Sequence, residues 1–233
     1  MDINICYLYP ALLNLYSDKG NADILRHRMS QRGISVNVYT YSPGDAFDSE
    51  MYDIILLGGG QDFETDIAFA DMKAYLSDKL AKYIEGDGVF LAVCGDMLGK
   101  TFVLNGKKCE GLGILPISAH TDTRHTGNIA VTMEGVTSPA FENHSLKTDI
   151  GTLQPLGAVV KGFGNDGKCE GAVYKNTFFT HLHGPILSKN PELADKLISL
   201  ALQKKYGVAS LTPLDDEYET SARRAVLKKM ELV

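Results

Sequence analysis

Residues 88–99, "GVFLAVCGDMLG", run from an unbroken apolar segment into a cysteine, a glycine and a polar turn. A segment apolar on both faces reads as a strand covered from both sides, as in parallel sheets sandwiched between helices. A second segment of the same kind, "YDIILLGGG" (52–60), ends in three consecutive glycines. Working outward, a first strand is expected over 3–9, stopped by Pro10. A helix is expected over 18–33, with Ile24, Leu25 and Met29 on one face and Gly33 at its end. "ISVNVYTY" (34–41) alternates as a strand, and 71–85 carries Met72, Tyr75, Leu76, Leu80, Tyr83 and Ile84 at the spacings of an amphipathic helix. The second half is richer in β signals: "GNIAVTME" (127–134), "GAVVKGFG" (157–164) and "EGAVYKNTFFTHLHG" (170–184). A late helix over 190–205 has Asn190 as its cap and Pro191 at its first position. The expected class is therefore α/β: a mostly parallel sheet with helices on both faces, and extra antiparallel β elements in the second half. The expected domain spans 1–205. A tail over 206–233 carries a short charged helix, "SARRAVLKKMELV", whose Ala225, Leu227, Met230 and Leu232 can dock on this domain or on a partner.

Composition narrows the function. The 233 residues carry 23 basic and 29 acidic side chains, a net charge of −6 without a long basic run, which speaks against a nucleic-acid backbone as partner. No apolar run approaches the length of a membrane span, and "MDINICYLYP" has no basic region ahead of its apolar residues, so a cytoplasmic protein is expected. The four cysteines, Cys6, Cys94, Cys109 and Cys169, are widely spaced, which fits reduced thiols and not a disulfide or zinc framework.

Ligands of open α/β sheets sit beyond the carboxyl ends of the strands. Gly58–Gly60 is either a tight turn or a place where backbone N–H groups approach a ligand closely. Cys94 is either an inert buried thiol or a nucleophile. Ahead of a helix its pKa would be lowered by the helix N-terminus, and the next N–H would form half of an oxyanion hole. His181 and His183, two apart on a strand, can share a face, and His183 stands beside Gly184–Pro185 at the mouth of the sheet, where a base for Cys94 belongs. A His-x-His metal pair finds no third ligand of suitable spacing, so no metal is expected.

"LGGGQDFE" (57–64), "LAVCG" (91–95) and "HLHGPILSKNPELAD" (181–195) together resemble the class I glutamine amidotransferases, a flavodoxin-like fold, in their cobyric-acid-synthase-like branch. "LYPALLNLYSDKGN" (8–21), "EGLGILP" (110–116), "RHTGNIAV" (124–131) and "FENH" (141–144) are similar to the GatD-type glutaminase subunits of lipid II isoglutaminyl synthases. The resemblance implies that Cys94 attacks the side-chain amide of L-glutamine to give a glutamyl thioester and ammonia, with His183 as base. It implies an oxyanion hole from Gly60 and Gly95, and substrate binding by Arg124. Pro185 stands where many amidotransferases have a glutamate, which implies a Cys–His dyad without a third member. It also implies a separate Mur-ligase-like (MurT-type) synthetase in a heterodimer, which with ATP and Mg would amidate D-isoglutamate of lipid II; this chain has no phosphate-binding G-x-x-x-x-G-K-[ST] loop and no cofactor of its own is expected. One departure stands out. The branch reads C-G-G-Y-Q-x-L-G-K through the turn, whereas Cys94–Lys100 is two residues shorter and places Asp96 near the thiol, where a carboxylate opposes thiolate formation. Two alternatives follow: a catalytically weakened homologue serving as a binding or regulatory subunit, and a stand-alone Cys–His amide hydrolase.

Overall fold

A computed structural model describes residues 1–233. Five strands form its parallel centre: β1 (Asp2–Leu8), β2 (Ser35–Tyr41), β3 (Ile54–Leu57), β4 (Val89–Val93) and, from much later in the chain, β12 (Thr177–Thr180). They lie in the order β12-β4-β3-β1-β2, with β11 (Ala172–Tyr174) added antiparallel at the β12 edge. The two-residue period of these strands divides their side chains between two cores. Ile3, Ile5, Ile54, Leu56, Val89 and Leu91 face helices α1 (Gly20–Ser30) and α4 (Pro191–Tyr206), meeting Leu25, Met29, Leu197 and Ile198. Cys6, Leu8, Ile55, Leu57, Phe90 and Ala92 face the other way, onto α2 (Asp62–Asp71) through Ala68, onto α3 (Ser77–Glu85) through Leu80 and Ile84, and onto Met72 between the two helices. Burial on both sides is why β3 and β4 carry no polar residue.

The second sheet has the order β10-β9-β7-β5-β6, with β8 also on β7, from β5 (Thr101–Leu104), β6 (Lys107–Glu110), β7 (Ser118–Met133), β8 (Val136–Asp149), β9 (Gly157–Lys161) and β10 (Cys169–Glu170). Its spine is the long β7–β8 hairpin, closed by Glu134 and Gly135 at φ 49° and 84°, a left-handed pair that suits the twist of a two-residue turn. The α/β class and the antiparallel additions agree with the sequence reading. The differences are local. The helix expected over 71–85 begins already at Asp62, and a π-helical turn at Met72–Leu76 joins α2 to α3. The segment 170–184 is β10, β11 and β12, broken at Gly171 and at the Lys175–Asn176 turn. The cap residue Asn190 precedes Pro191 as expected, but its side chain donates to the Ile186 carbonyl and not to the helix.

The tail docks on its own chain. Its helix α5 (Glu217–Lys229) starts earlier than expected and buries Leu227 and Met230 against Ala130, with Leu232 alongside, while Ala225 stays exposed. Arg28 of α1, its side chain 3% exposed, pairs with Asp195 of α4 at 2.7 Å and with Asp216 just ahead of α5 at 2.5 Å. Arg223 of α5 meets Glu192 at 2.8 Å.

Candidate active site

Cys94 follows β4 at a backbone φ of 50°, a left-handed value that costs a non-glycine residue energy and thrusts its side chain out of the strand end. The neighbouring ladder holds it there: Cys94 N–H donates to the Thr180 carbonyl of β12 at 2.7 Å. Because β12 lies parallel to β4, the residues after both strands emerge at one end of the sheet. Cys94 Sγ therefore stands 3.2 Å from His183 Nε2. The His183 backbone is fixed from the second sheet, exchanging hydrogen bonds with Phe141 of β8 at 2.8 and 3.3 Å. Tyr16 packs against its ring at 4.5 Å between centroids.

The expected dyad has a third group. Asp18, buried in the loop between β1 and α1, accepts from His183 Nδ1 at 3.1 Å through Oδ2, the same oxygen that accepts from Gly59 N–H at 3.0 Å. The carboxylate comes from a segment 165 residues away, so no spacing rule near His183 points to it. The glycine turn after β3 completes the wall. A Cβ on Gly59 would lie 2.9 Å from His183 Cε1 and 3.3 Å from Cys94 Cβ, so only glycine leaves the pair in contact. Gly59→Ala is expected to lower turnover about 100-fold by pushing thiol and imidazole apart, with an unchanged far-UV circular dichroism spectrum. Gly60 N–H and Gly95 N–H, the two expected oxyanion donors, engage in no backbone hydrogen bond.

The turn after Cys94 corrects the sequence reading. No α-helix follows the nucleophile; Asp96–Leu98 makes a single 3-10 turn, too short to carry a helix dipole. The chain goes directly into β5 through Gly99, which leaves no length for a helix. Two helices do begin beside the site, α2 directly after Gly60–Gln61 and α1 two residues after Asp18. The thiol pKa is nonetheless not lowered. Burial raises it well above the ordinary value, and the carboxylates of Asp96, Asp18 and Glu170 add to the shift. Cys94 therefore rests as the thiol, and its ionisation has to accompany attack.

Cys94 opens onto a cleft of about 690 Å³ whose lining includes Gly60, Glu64, Asp96, Arg124, Asn143 and His144. Arg124, exposed on β7, is steadied by Nε donation to Asn143 Oδ1 at 2.8 Å, which leaves its remaining guanidinium N–H groups for an anion. His181 does not share a face with His183. The strand ends at Thr180, and His181 turns inward, fully buried, with Nε2 3.0 Å from Asp96 Oδ2. The two histidines thus hold different carboxylates and do not converge as a metal pair; no group of three His, Cys, Asp or Glu side chains is arranged to hold an ion.

Beneath this pair lies Glu170, fully buried and accepting from Thr180 Oγ1 at 3.1 Å and His181 N–H at 2.7 Å. Burial pushes its pKa up to about 7. The folded state therefore keeps a proton that the unfolded chain releases above about 4.5, so stability falls as pH rises from about 4.5 to 7. Glu170→Gln, which keeps an acceptor without the charge, is expected to raise the melting temperature at pH 8 by several degrees, a gain of at most about 3 kcal/mol, and to leave it unchanged at pH 4.5. Thermal unfolding of both proteins across that range checks the sign.

A thiol, an imidazole and a carboxylate stand in hydrogen-bond sequence at the carboxyl end of a parallel sheet, an arrangement suited to nucleophilic chemistry at a cysteine. Residues 4–191 match the family of CobB/CobQ-like glutamine amidotransferase domains, and the chain belongs to that family. It is 42% identical over 215 residues to the GatD subunit of the glutamine-hydrolysing lipid II isoglutaminyl synthase of Streptococcus pneumoniae (strain ATCC BAA-255 / R6), covering 88% of this chain and 82% of that one. To the subunit of the same name from Staphylococcus aureus (strain N315) it is 36% identical over 237 residues, covering 98% and 96%. A solved glutamine amidotransferase of Thermotoga maritima shares the fold, with a TM-score of 0.54 at 14% identity, covering 99% of this chain and 95% of that one. No helix is long and apolar enough to cross a membrane.

Proposed function

We propose that the chain hydrolyses L-glutamine to glutamate and ammonia and delivers the ammonia to a Mur-ligase-like, MurT-type synthetase. That partner, with ATP and Mg, amidates D-isoglutamate of lipid II to D-isoglutamine at the cytoplasmic step of peptidoglycan synthesis. The observation that carries the reading is the 3.2 Å contact between Cys94 Sγ and His183 Nε2, with Asp18 behind the ring. The substrate and the partner rest on the likeness to the two GatD subunits.

In the proposed reaction His183 Nε2 takes the Cys94 proton as sulfur bonds to the side-chain amide carbon of glutamine. Asp18 holds Nδ1 protonated, so that Nε2 presents its lone pair to the thiol. The oxyanion forms against Gly60 and Gly95 N–H, whose positions are set before reaction and need no reorganisation. His183 then returns the proton to nitrogen, the C–N bond breaks, and ammonia leaves a γ-glutamyl thioester. Water, deprotonated by His183, attacks the thioester carbon, and the Cys94 thiol and glutamate are released. Arg124 receives the α-carboxylate of glutamine through two parallel hydrogen bonds.

Ammonia release from L-glutamine by the purified chain, alone and with a Mur-ligase-like partner, tests the reading. Release abolished by Cys94→Ala supports it. No release under either condition would favour a binding subunit, and partner-independent turnover of unrelated amides would favour a stand-alone hydrolase.

A further inference from the structure

The turn after the nucleophile places a carboxylate where it should suppress the chemistry. Asp96 is 5% exposed, two residues from Cys94 and adjacent to Gly95, and it works to keep the thiol protonated. Buried carboxylates need a compensating partner. Asp96 has two contacts: Thr148 Oγ1 of β8 donates to Oδ1 at 3.3 Å, and His181 Nε2 lies 3.0 and 3.2 Å from its two oxygens. We propose that His181 is a positioning residue of the glutaminase site: its imidazolium cancels the charge of Asp96, so that Cys94 can ionise when His183 takes its proton. The inference rests on the reading of Cys94 and His183 given above.

The surroundings favour a charged His181. Burial opposes the charge, but Asp96, then Glu170 and Glu142, outweigh it and raise the imidazole above its ordinary value. Burial likewise opposes charge on Asp96, yet His181 holds its carboxyl below the usual range. His144 of β8 stacks on the His181 ring at 4.6 Å between centroids. Burial and then repulsion from His181 work to keep it neutral, against its neighbour Glu142 at 3.4 Å, so the two rings do not compete for one positive charge. Glu142 is held by the N–H groups of Phe163 and Gly164, and Asp18 is engaged with His183 and Gly59. Of the histidines in this cluster, His181 makes the direct contact to the carboxylate beside the nucleophile. Its Nδ1 is buried without a hydrogen-bond partner, which opposes the charge, so the imidazolium depends on attraction from Asp96 at Nε2 and from Glu170 and Glu142.

The test reads the thiol directly and needs no turnover. The rate of Cys94 alkylation by iodoacetamide is measured at pH 8 on the full chain, by mass spectrometry of the peptide containing Cys94. His181→Gln is expected to slow it about 10- to 100-fold, the effect of exposing a thiol to an uncompensated carboxylate. Adding Asp96→Asn to that variant is expected to bring the rate back to within about threefold of the wild type. An unchanged rate in His181→Gln overturns the proposal, as does a loss that Asp96→Asn fails to reverse, since a packing defect would not be repaired by removing a charge. If His181→Gln does not fold, ring nitrogen chemical shifts of His181 in the wild-type chain at pH 7 decide: both nitrogens protonated is the expected result, and a neutral ring overturns it. Neither readout depends on glutamine. A chain that shows these alkylation rates but releases no ammonia with its partner would retain the charge balance and lose the glutaminase reading.

Discussion

His183→Gln is expected to lower ammonia release from glutamine by about 10⁴-fold or more, and the double variant Cys94→Ala/His183→Gln to fall no further than either single one. Nucleophile and base act as one unit, so removing either removes the step they share. The size of the loss follows from the resting state of the pair. A cysteine already present as thiolate needs no base to become a nucleophile. Here burial and three carboxylates hold Cys94 protonated, so the thiol has no nucleophile to offer until Nε2, 3.2 Å away, accepts its proton. Initial rates for the two single variants and the double variant, measured with the partner present, provide the check. Additive losses would mean that the two side chains act in separate steps.

Asp18→Asn is expected to cost about 10³-fold or more while leaving the fold intact. The carboxylate faces His183 Nδ1 with both oxygens, Oδ2 at 3.1 Å and Oδ1 at 3.3 Å, and Oδ2 also accepts from Gly59 N–H, whereas in an amide only one of the two positions is an oxygen. If that oxygen keeps Gly59, the amide NH₂ takes the Oδ1 position 3.3 Å from Nδ1, and a ring that accepts from it carries its proton on Nε2, pointing at sulfur. The imidazole then has no lone pair for the thiol. A change confined to the tautomer appears in kcat with little change in KM, because glutamine binding does not use Asp18. Asp18→Ala, by comparison, frees the ring to rotate and should lose the alignment as well. Steady-state kinetics with melting temperatures for both variants separate the two outcomes; activity within about threefold of wild type in Asp18→Asn would remove the carboxylate from the site.

Much of the parallel sheet was legible because its signal is local. Ile54–Leu57 and Val89–Val93 are apolar on both faces, and glycines mark where they end. Cys94, His183, Gly60 and Arg124 were legible through motifs, and the structure brings Cys94 and His183 into contact and Gly60 and Arg124 to the same cleft. Asp18 was not, because a loop carboxylate has no periodicity and its partner is supplied by topology alone. The pairing of Asp96 with His181 was hidden in the same way: His181 follows a strand, and the two-residue alternation that places it beside His183 stops at Thr180. The helix expected after Cys94 failed for a different reason. "DMLG" is compatible with a helical turn, but Gly99 and the immediate start of β5 at Thr101 leave no length for one. The β7–β8 hairpin was read only in part, since its outer residues, from His120 to Asn128, are polar and carry little alternation.

Cys94 is expected to become covalently attached to the glutamyl group of the substrate during turnover. Acid quenching of the chain and its partner within milliseconds of mixing with labelled glutamine, followed by mass spectrometry, reads this attachment. A γ-glutamyl thioester is expected on the Cys94 peptide, absent in Cys94→Ser and lost on treatment with hydroxylamine. Sustained ammonia release with no label on that peptide, or with label on another residue, would contradict it.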